Sequence, residues 1–278
     1  MTDTGSARLP LPLPDGRVAV ARRAREGVPL ILVPGSGMGG LAWGRLRPAG
    51  FAPVLLDFVG YGAAGPFHPE TDEPLALDVA AVVAAIDAAG APVALVGHSY
   101  GGFVAWRAAL ARPGAVRVLG LCEPVCYRLL EGDAEGRALR AGMERRFPGV
   151  LDGGTIPDEG WFRGFIDYWN GPGAWAALPE SRRAAYLAVG GRVRAEVAAV
   201  WSAPPPPAFP GPTVVLRGAE SPAEARGMAA RAAALHGGAP VDLPGLGHTF
   251  PVTAPGPTWE ALGGPGWAAA YFGAGAKP

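Results

Sequence analysis

A serine between two closely spaced glycines is the residue of this sequence with the clearest chemical potential. Ser99 lies two positions after Gly97 and two before Gly101, an apolar run precedes it at 92–96, and helix-forming residues follow at 103–110. A strand that reverses sharply into a helix forces the turn residue into strained backbone angles, and side chains two positions away would collide. The spacing therefore predicts a strand-turn-helix elbow that exposes Ser99 as a nucleophile.

A serine hydroxyl becomes a useful nucleophile only beside a base, and histidine is the usual one. The chain contains four histidines: His68, His98, His236 and His248. His98 directly precedes Ser99, so strand alternation should point its side chain away from the serine. His68 lies in a proline-bearing loop, and His236 ends a predicted helix. His248 follows the last predicted strand in a glycine-containing loop, which lets its imidazole reach the carboxyl edge of the sheet, so we predict that it is the base.

The elements that would position these residues alternate along the chain. A turn at 14–16 joins strands at 9–13 and 17–21 in a hairpin. The further predicted strands lie at 29–33, 53–57, 92–98, 116–122, 213–217 and 240–243, and the helices at 41–47, 75–89, 102–111, 222–235 and 258–272. Such alternation is typical of βαβ units. We therefore predict an α/β fold with a mostly parallel central sheet of about eight strands and helices on both faces.

The alternation stops between residues 127 and 203, where no strong strand pattern occurs and aromatic residues accumulate. Four prolines at 204–207, which fit neither a helix nor a central strand, end this stretch. We interpret it as a helical cap inserted after strand six, with residues 1–126 and 204–278 forming the core domain. Candidate substrate contacts are Met38 in the loop after the first parallel strand, and three aromatic residues of the cap: Trp161, Phe165 and Trp169.

Composition excludes several classes of protein. The 24 basic and 24 acidic residues balance, and the paired arginines carry no interleaved aromatics, which argues against nucleic-acid binding. The two cysteines, Cys122 and Cys126, have neither disulfide-framework nor metal-ligand spacing. No apolar run is long enough to span a bilayer, and no secretory leader pattern begins the chain. We expect a cytoplasmic protein that acts on a small molecule without a metal or other cofactor; the oligomeric state stays open.

Taken together, the elbow, the late histidine and the strand pattern resemble the capped type of α/β hydrolase over nearly the whole chain. In that family the nucleophile, acid and histidine occur in this order, and two backbone amides form the oxyanion hole. The resemblance assigns these amides to Tyr100, which follows the nucleophile, and to Ser36. Pro34 stands where the family usually has histidine. The run 57–62 resembles the family's Asp-x-x-Gly-x-Gly loop, and we interpret Asp57 as a structural hydrogen-bonding residue.

The acid that would orient the histidine departs from the family pattern. Ser221 falls on the usual aspartate position, and a hydroxyl cannot stabilise an imidazolium as a carboxylate does. Glu123 ends the strand after the elbow helix, where some family members place their acid, and the following proline favours an extended Glu123. Glu220, one residue before the usual position, is the alternative. We predict that Glu123 is the acid.

The resemblance implies a serine hydrolase that cleaves a carboxylic ester or related acyl bond of a small apolar substrate through an acyl-enzyme. Thioesterase, lactonase and C–C hydrolase activities would use the same residues. A serine nucleophile excludes epoxide-hydrolase and dehalogenase chemistry, which in similar proteins needs aspartate. Two further alternatives are a non-hydrolytic lyase or receptor of this fold, and a dinucleotide-binding oxidoreductase. The latter would use Gly35, Gly37 and Gly40, which imitate a phosphate-binding fingerprint ahead of Asp57.

Overall fold

A single eight-stranded sheet organises the chain. In a computed structural model, which describes residues 7–23, 26–147 and 157–273, the strands are β1 (Ala7–Pro12), β2 (Val18–Arg23), β3 (Val28–Val33), β4 (Phe51–Asp57), β5 (Val93–His98), β6 (Val116–Cys122), β7 (Thr213–Gly218) and β8 (Val241–Leu243). Their spatial order is β1-β2-β4-β3-β5-β6-β7-β8. The β1–β2 and β2–β4 pairs are antiparallel and every other pair is parallel. The predicted α/β class and mostly parallel sheet are confirmed.

Helices cover both faces of the sheet. They are α1 (Pro74–Ala88), α2 (Tyr100–Ala111), α3 (Ala134–Arg146), α4 (Glu159–Asn170), α5 (Ala174–Ala177), α6 (Glu180–Ala188), α7 (Gly190–Ser202), α8 (Ala223–Leu235), α9 (Phe250–Thr253), α10 (Pro255–Ala261) and α11 (Gly264–Phe272). Two 3-10 segments lie at Gly40–Trp43 and Tyr127–Gly132. Across the described ranges, none of these helices has the length and apolar character needed to cross a bilayer.

Two helix predictions differ from the structure. The predicted helix at 41–47 is a single 3-10 turn, Gly40–Trp43, whose first residue packs so closely on β4 that a Cβ there would lie 2.7 Å from the Leu56 backbone. The predicted helix at 258–272 is divided into α10 and α11, with the short α9 before them. Gly263 has φ +74°, a left-handed conformation that ends a right-handed helix. At Gly263 a local backbone break therefore overrode the apolar pattern.

The core lies on both faces of the sheet because alternate residues of the central strands point to opposite sides. In β3, Ile31 and Val33 belong to one apolar cluster, which includes residues of α1 and α2. Leu30 and Leu32 belong to a second cluster, which includes residues of α10 and α11. Burial on both faces explains the uninterrupted apolar runs of β3 and β5. It also leaves the carboxyl ends of these strands as the edge on which polar groups can gather.

The segment between β6 and β7 contains helices α3–α7 and no strand among its described residues. Helix α4 is amphipathic, and its buried positions Phe162, Ile166 and Trp169 follow a spacing of three to four residues. We call the described part of residues 127–203 the inserted segment; residues 148–156 of the predicted cap lie outside the described residues. The division into a core domain, 1–126 with 204–278, and a separate cap domain stays a prediction.

Candidate active site

The strand-turn-helix elbow at Ser99 carries backbone strain. Ser99 lies between β5 and α2 with φ 56° and ψ −124°, and among the described residues Ser99 and Glu123 are the non-glycine positions with positive φ. A Cβ added at Gly97 would lie 2.3 Å from the Gly101 carbonyl oxygen, and one at Gly101 would lie 2.2 Å from the Pro34 carbonyl oxygen. The two flanking glycines therefore allow the backbone approach that holds Ser99 in this conformation.

Replacing Gly101 by alanine should lower the free energy of unfolding by about 1–3 kcal/mol or more, because the added methyl group must displace backbone atoms. The change should also reduce Ser99 reactivity, since the elbow itself must shift. Chemical denaturation with a Gly114→Ala control measures the first effect; a Cβ at Gly114 meets nothing within 4 Å, so the control should change stability by no more than about 0.5 kcal/mol. Equal stability of both variants would contradict the close approach described for Gly101.

His248 links the serine to a buried carboxylate. Its Nε2 lies 3.0 Å from Ser99 Oγ, and its Nδ1 lies 2.5 Å from Glu123 Oε2. A carboxylate beside Nδ1 favours the tautomer in which Nδ1 carries the proton, which leaves the Nε2 lone pair facing the serine hydroxyl. The side chains of His248 and Glu123 are 5% and 0% exposed. This arrangement can remove the Ser99 proton and stabilise the imidazolium that results.

Glu123 is held beside the elbow by the backbone of Ser99. The Ser99 amide donates to the Cys122 carbonyl at 3.0 Å, and the Val125 amide donates to the Ser99 carbonyl at 3.1 Å, so these two bonds flank Glu123. The Gly218 amide at the end of β7 donates to Glu123 Oε1 at 2.8 Å. The prediction of an extended Glu123 is wrong, because its φ is 44°. The backbone bonds on both sides impose this turn against the preference of a residue before proline.

Glu220 does not join this arrangement. Its backbone amide donates to the Leu246 carbonyl at 3.0 Å, whereas its side chain is exposed and has no hydrogen-bond or ion-pair partner among the described residues. Ser221, at the usual acid position, is buried, and its hydroxyl likewise has no described partner. The structure therefore brings Glu123, and not Glu220, to the imidazole of His248.

His98 supports the loop that carries His248. The His98 Nε2 lies 2.8 Å from the His248 carbonyl oxygen, and the centroids of the two imidazole rings are 4.9 Å apart. Burial lowers the pKa of His98 to about 3, so the ring is neutral near neutral pH and donates through Nε2. Sequence analysis did not find this role of His98, because the sequence shows only a polar residue at the end of an apolar strand.

The two predicted oxyanion residues border the serine. Tyr100 is the first residue of α2, where backbone amides have no partner inside the helix. Ser36 lies in a turn closed by a 3.2 Å bond from the Met38 amide to the Gly35 carbonyl. A Cβ at Gly35 would lie 3.3 Å from the Cβ of Ser99, so this loop approaches the elbow closely. No hydrogen bond from the Ser36 or Tyr100 amide to another described residue occurs, which leaves both available to a ligand oxygen.

A cavity of about 580 Å³ opens above Ser99 and His248. Of the four predicted substrate contacts, Met38, Phe165 and Trp169 line it. Trp161 is not among its lining residues and instead stacks on Phe165 with ring centroids 4.7 Å apart. Trp161 also packs on Phe162 and Phe147, with ring centroids 5.1 and 6.0 Å apart, so its indole is engaged within the inserted segment.

The inserted segment also contacts the predicted base directly. The indole of Trp169 stacks on the His248 imidazole with centroids 4.1 Å apart and planes 30° apart. Next to it, the Thr249 hydroxyl donates to Asn170 Oδ1 at 2.8 Å. The end of α4 therefore borders the predicted base as well as the cavity.

Asp57 is engaged within the protein. It accepts hydrogen bonds from the Gly40 amide at 2.9 Å and from the Ala63 amide at 3.3 Å, and it forms an ion pair with Arg22 at 2.7 Å. These bonds agree with the structural role predicted for Asp57. They also leave its carboxylate occupied, whereas a dinucleotide site needs a carboxylate free to bind a ribose.

Several known proteins are similar to this chain in sequence or in structure. The sequence model described as "Alpha/beta hydrolase family" matches residues 30–261. A polyketide synthase, ThaQ from Burkholderia thailandensis, is 35% identical over 124 residues, which are 43% of this chain; the match spans 6% of that protein's length. An esterase from Rhodococcus sp. ECU1013 has a TM-score of 0.67 at 20% identity, covering 89% of this chain and 94% of that chain.

A second similar solved structure is that of an epoxide hydrolase. Epoxide hydrolase A from Mycobacterium thermoresistibile has a TM-score of 0.66 at 20% identity, and the match covers 92% of this chain and 97% of that chain. At this level of identity the two structural relationships establish the shared fold alone. A shared fold does not fix the reaction, which depends on the side chains of the site.

Proposed function

The chain belongs to the alpha/beta hydrolase family, and from this premise we propose that it is a serine hydrolase that cleaves a carboxylic ester or a related acyl bond. The observation that carries this proposal is the continuous chain of contacts from Ser99 Oγ to His248 Nε2 and from His248 Nδ1 to Glu123 Oε2. These contacts lie at a strained turn that faces the cavity. Acyl transfer through a serine requires a nucleophile in contact with a base, and the base in contact with an orienting carboxylate.

In the proposed mechanism, His248 Nε2 accepts the Ser99 proton while the serine oxygen attacks the carbonyl carbon of the substrate. The Tyr100 and Ser36 amides donate to the oxyanion that forms. The imidazolium then gives its proton to the leaving alcohol, and the acyl group remains on Ser99. A water molecule, deprotonated by His248, releases the acid and restores the serine. Glu123 stabilises the imidazolium in both halves of the reaction without changing its own protonation.

The hydroxyl of Ser99 argues for acyl transfer and against epoxide opening. A serine alkoxide that opened an epoxide would form an ether, and the oxyanion-hole mechanism has no route for its hydrolysis. A carbonyl substrate, in contrast, gives an ester intermediate that water cleaves. The shared fold with an epoxide hydrolase therefore does not extend to its reaction in this proposal.

The cavity supports a small apolar substrate. Its lining includes the apolar side chains of Met38, Phe165, Ile166, Trp169 and Val200, and its volume of about 580 Å³ suits a small-molecule ligand. Thioesters, lactones and C–C bonds next to a carbonyl present the same electrophilic carbon to Ser99. They are the alternative substrates of the same machinery.

A substrate panel tests the proposal. We expect the purified protein to hydrolyse p-nitrophenyl esters of graded chain length, with the highest kcat/KM at the acyl length that fills the cavity. Acyl thioesters assayed in parallel distinguish the first alternative, and the catalytically impaired Ser99→Ala variant supplies the background rate. Covalent labelling of Ser99 without turnover of any ester, thioester or lactone would contradict a hydrolase and favour a non-hydrolytic lyase or receptor of this fold.

A further inference from the structure

Three buried charged side chains join the inserted segment to the core at a place that the proposed mechanism does not use. Arg192 and Glu196 lie one turn apart on α7, and Asp78 lies on α1. The Arg192 guanidinium donates from Nε to Glu196 Oε1 at 3.0 Å and from Nη2 to Asp78 Oδ2. All three side chains are almost completely buried. We call these three residues the buried ion cluster.

The carboxylates of the buried ion cluster are connected to both predicted oxyanion residues. The Tyr100 hydroxyl donates to Asp78 Oδ2 at 2.7 Å. Glu196 is connected to the loop that contains Ser36 through the Tyr61 hydroxyl. One guanidinium therefore holds together the carboxylate that binds Tyr100 and the carboxylate that is connected to the Ser36 loop.

Tyr61 provides the hydrogen-bonded connection between Glu196 and the Ser36 loop. Its hydroxyl donates to Glu196 Oε2 at 3.0 Å and accepts from the Gly37 amide at 3.0 Å. Burial raises the pKa of Tyr61 and of Tyr100 well above the ordinary value, so both phenols remain donors at neutral pH. Glu196 thus restrains the loop at Gly37, the residue next to Ser36, through the Tyr61 hydroxyl.

Attaching a helix to a core through the buried ion cluster costs desolvation free energy. Burial raises the pKa of Asp78 to about 6 and that of Glu196 to about 7, even though the Arg192 guanidinium opposes both shifts. Apolar residues of similar volume would usually attach a helix as well or better. Fixed hydrogen-bond geometry is what the charged groups add.

We propose that the buried ion cluster positions the Ser36 and Tyr100 amides at the spacing that a substrate oxyanion requires. Its members and Tyr61 are positioning residues, because they act through the two amides without touching the substrate. This inference rests on the function proposed above, since it needs a carbonyl oxygen to bind at those amides. It makes helix α7 of the inserted segment part of the apparatus that stabilises the transition state.

The test compares Tyr61→Phe and Glu196→Gln with the wild-type protein. Tyr61→Phe removes the acceptor of the Gly37 amide, and Glu196→Gln replaces an acceptor-only carboxylate with an amide that must turn a donor toward one of its partners. We expect kcat for a p-nitrophenyl ester to fall about 10- to 100-fold, because small displacements of catalytic groups have effects of this size. KM should change by less than about threefold.

A second readout does not need turnover. A fluorophosphonate phosphonylates Ser99 with loss of fluoride, and its phosphoryl oxygen develops charge where the acyl oxyanion would lie. The second-order rate of Ser99 labelling, measured by intact mass, should fall in parallel with kcat in both variants. Tyr61→Phe is the milder change and keeps the test valid if Glu196→Gln does not fold.

Glu224→Gln is the matched control. Glu224 is also a buried carboxylate between the inserted segment and the core, but it accepts from Tyr168 and contacts neither oxyanion residue. Losses in Glu196→Gln no larger than those of the control, or losses proportional to the unfolded fraction, would overturn the positioning role. A wild-type protein that is not labelled at Ser99 would overturn the proposed function and this inference with it. Normal wild-type labelling with unaffected variants would overturn the inference alone.

Discussion

Replacing Ser99 by alanine should lower kcat for acyl substrates by about 10⁴- to 10⁶-fold, because the variant loses the nucleophile and leaves His248 with no hydroxyl to activate. Alanine preserves the small size that the strained turn requires, so the fold should be retained. The measurement is kcat on the best ester of the panel, together with the intact mass after treatment with a fluorophosphonate. The variant should show no adduct.

Ser202→Ala is the control for this experiment. Ser202 ends α7, is exposed, and donates only to the Ala198 carbonyl at 3.0 Å. This variant should keep wild-type activity and label normally. If Ser99→Ala instead retained a tenth of the activity or more, a different residue would have to be the nucleophile.

Replacing Glu123 by glutamine should lower kcat by about 10²- to 10⁴-fold. Glutamine can still accept from the Gly218 amide through its oxygen, but its NH₂ group would then face His248 Nδ1. A donor in that position favours the imidazole tautomer with the proton on Nε2, which cannot accept the Ser99 proton. The variant would also lack the negative charge that stabilises the imidazolium.

The matched variant is Glu220→Gln, which makes the same chemical change at an exposed carboxylate outside the site. We expect its kcat to stay close to the wild-type value. Thermal unfolding of both variants separates catalytic loss from loss of structure, since Glu123 is completely buried. A larger loss in Glu220→Gln than in Glu123→Gln would assign the acid to Glu220 and require the loop after β7 to move in solution.

Local rules explain why much of the fold and the elbow could be predicted from sequence. The apolar runs of β3 and β5 sit between turn-forming residues, so their type and position follow from short-range pattern. The glycines around Ser99 reflect a steric requirement that acts within five residues. The order of residues along the chain then predicts His248 as the base, because it is the histidine that follows the last strand.

Contacts between distant segments explain what the sequence did not reveal. The backbone of Glu123 turns away from the extended form because of bonds on either side of it with Ser99, the turn residue that follows the neighbouring strand β5. Trp161 and Trp169 are both tryptophans of the aromatic-rich stretch, so the sequence does not distinguish them as substrate contacts. Only the packing of α4 decides which of them reaches the cavity. The bond between Arg192 and Asp78 joins residues 114 positions apart, and neither residue lies in a recognisable motif.

Because Glu123 directly follows β6, the strand beside the one that leads into Ser99, the connection from β7 to β8 supplies no carboxylate to His248. The Gly218 amide that binds Glu123 belongs to β7 itself. The Ala219 and Glu220 amides hold the segment before His248 by donating to the Leu243 and Leu246 carbonyls, so an insertion such as a longer surface loop or an affinity tag belongs beyond them, at the exposed residues 237–239. In a protein whose catalytic carboxylate lay in this connection, the same insertion would put catalytic activity at greater risk.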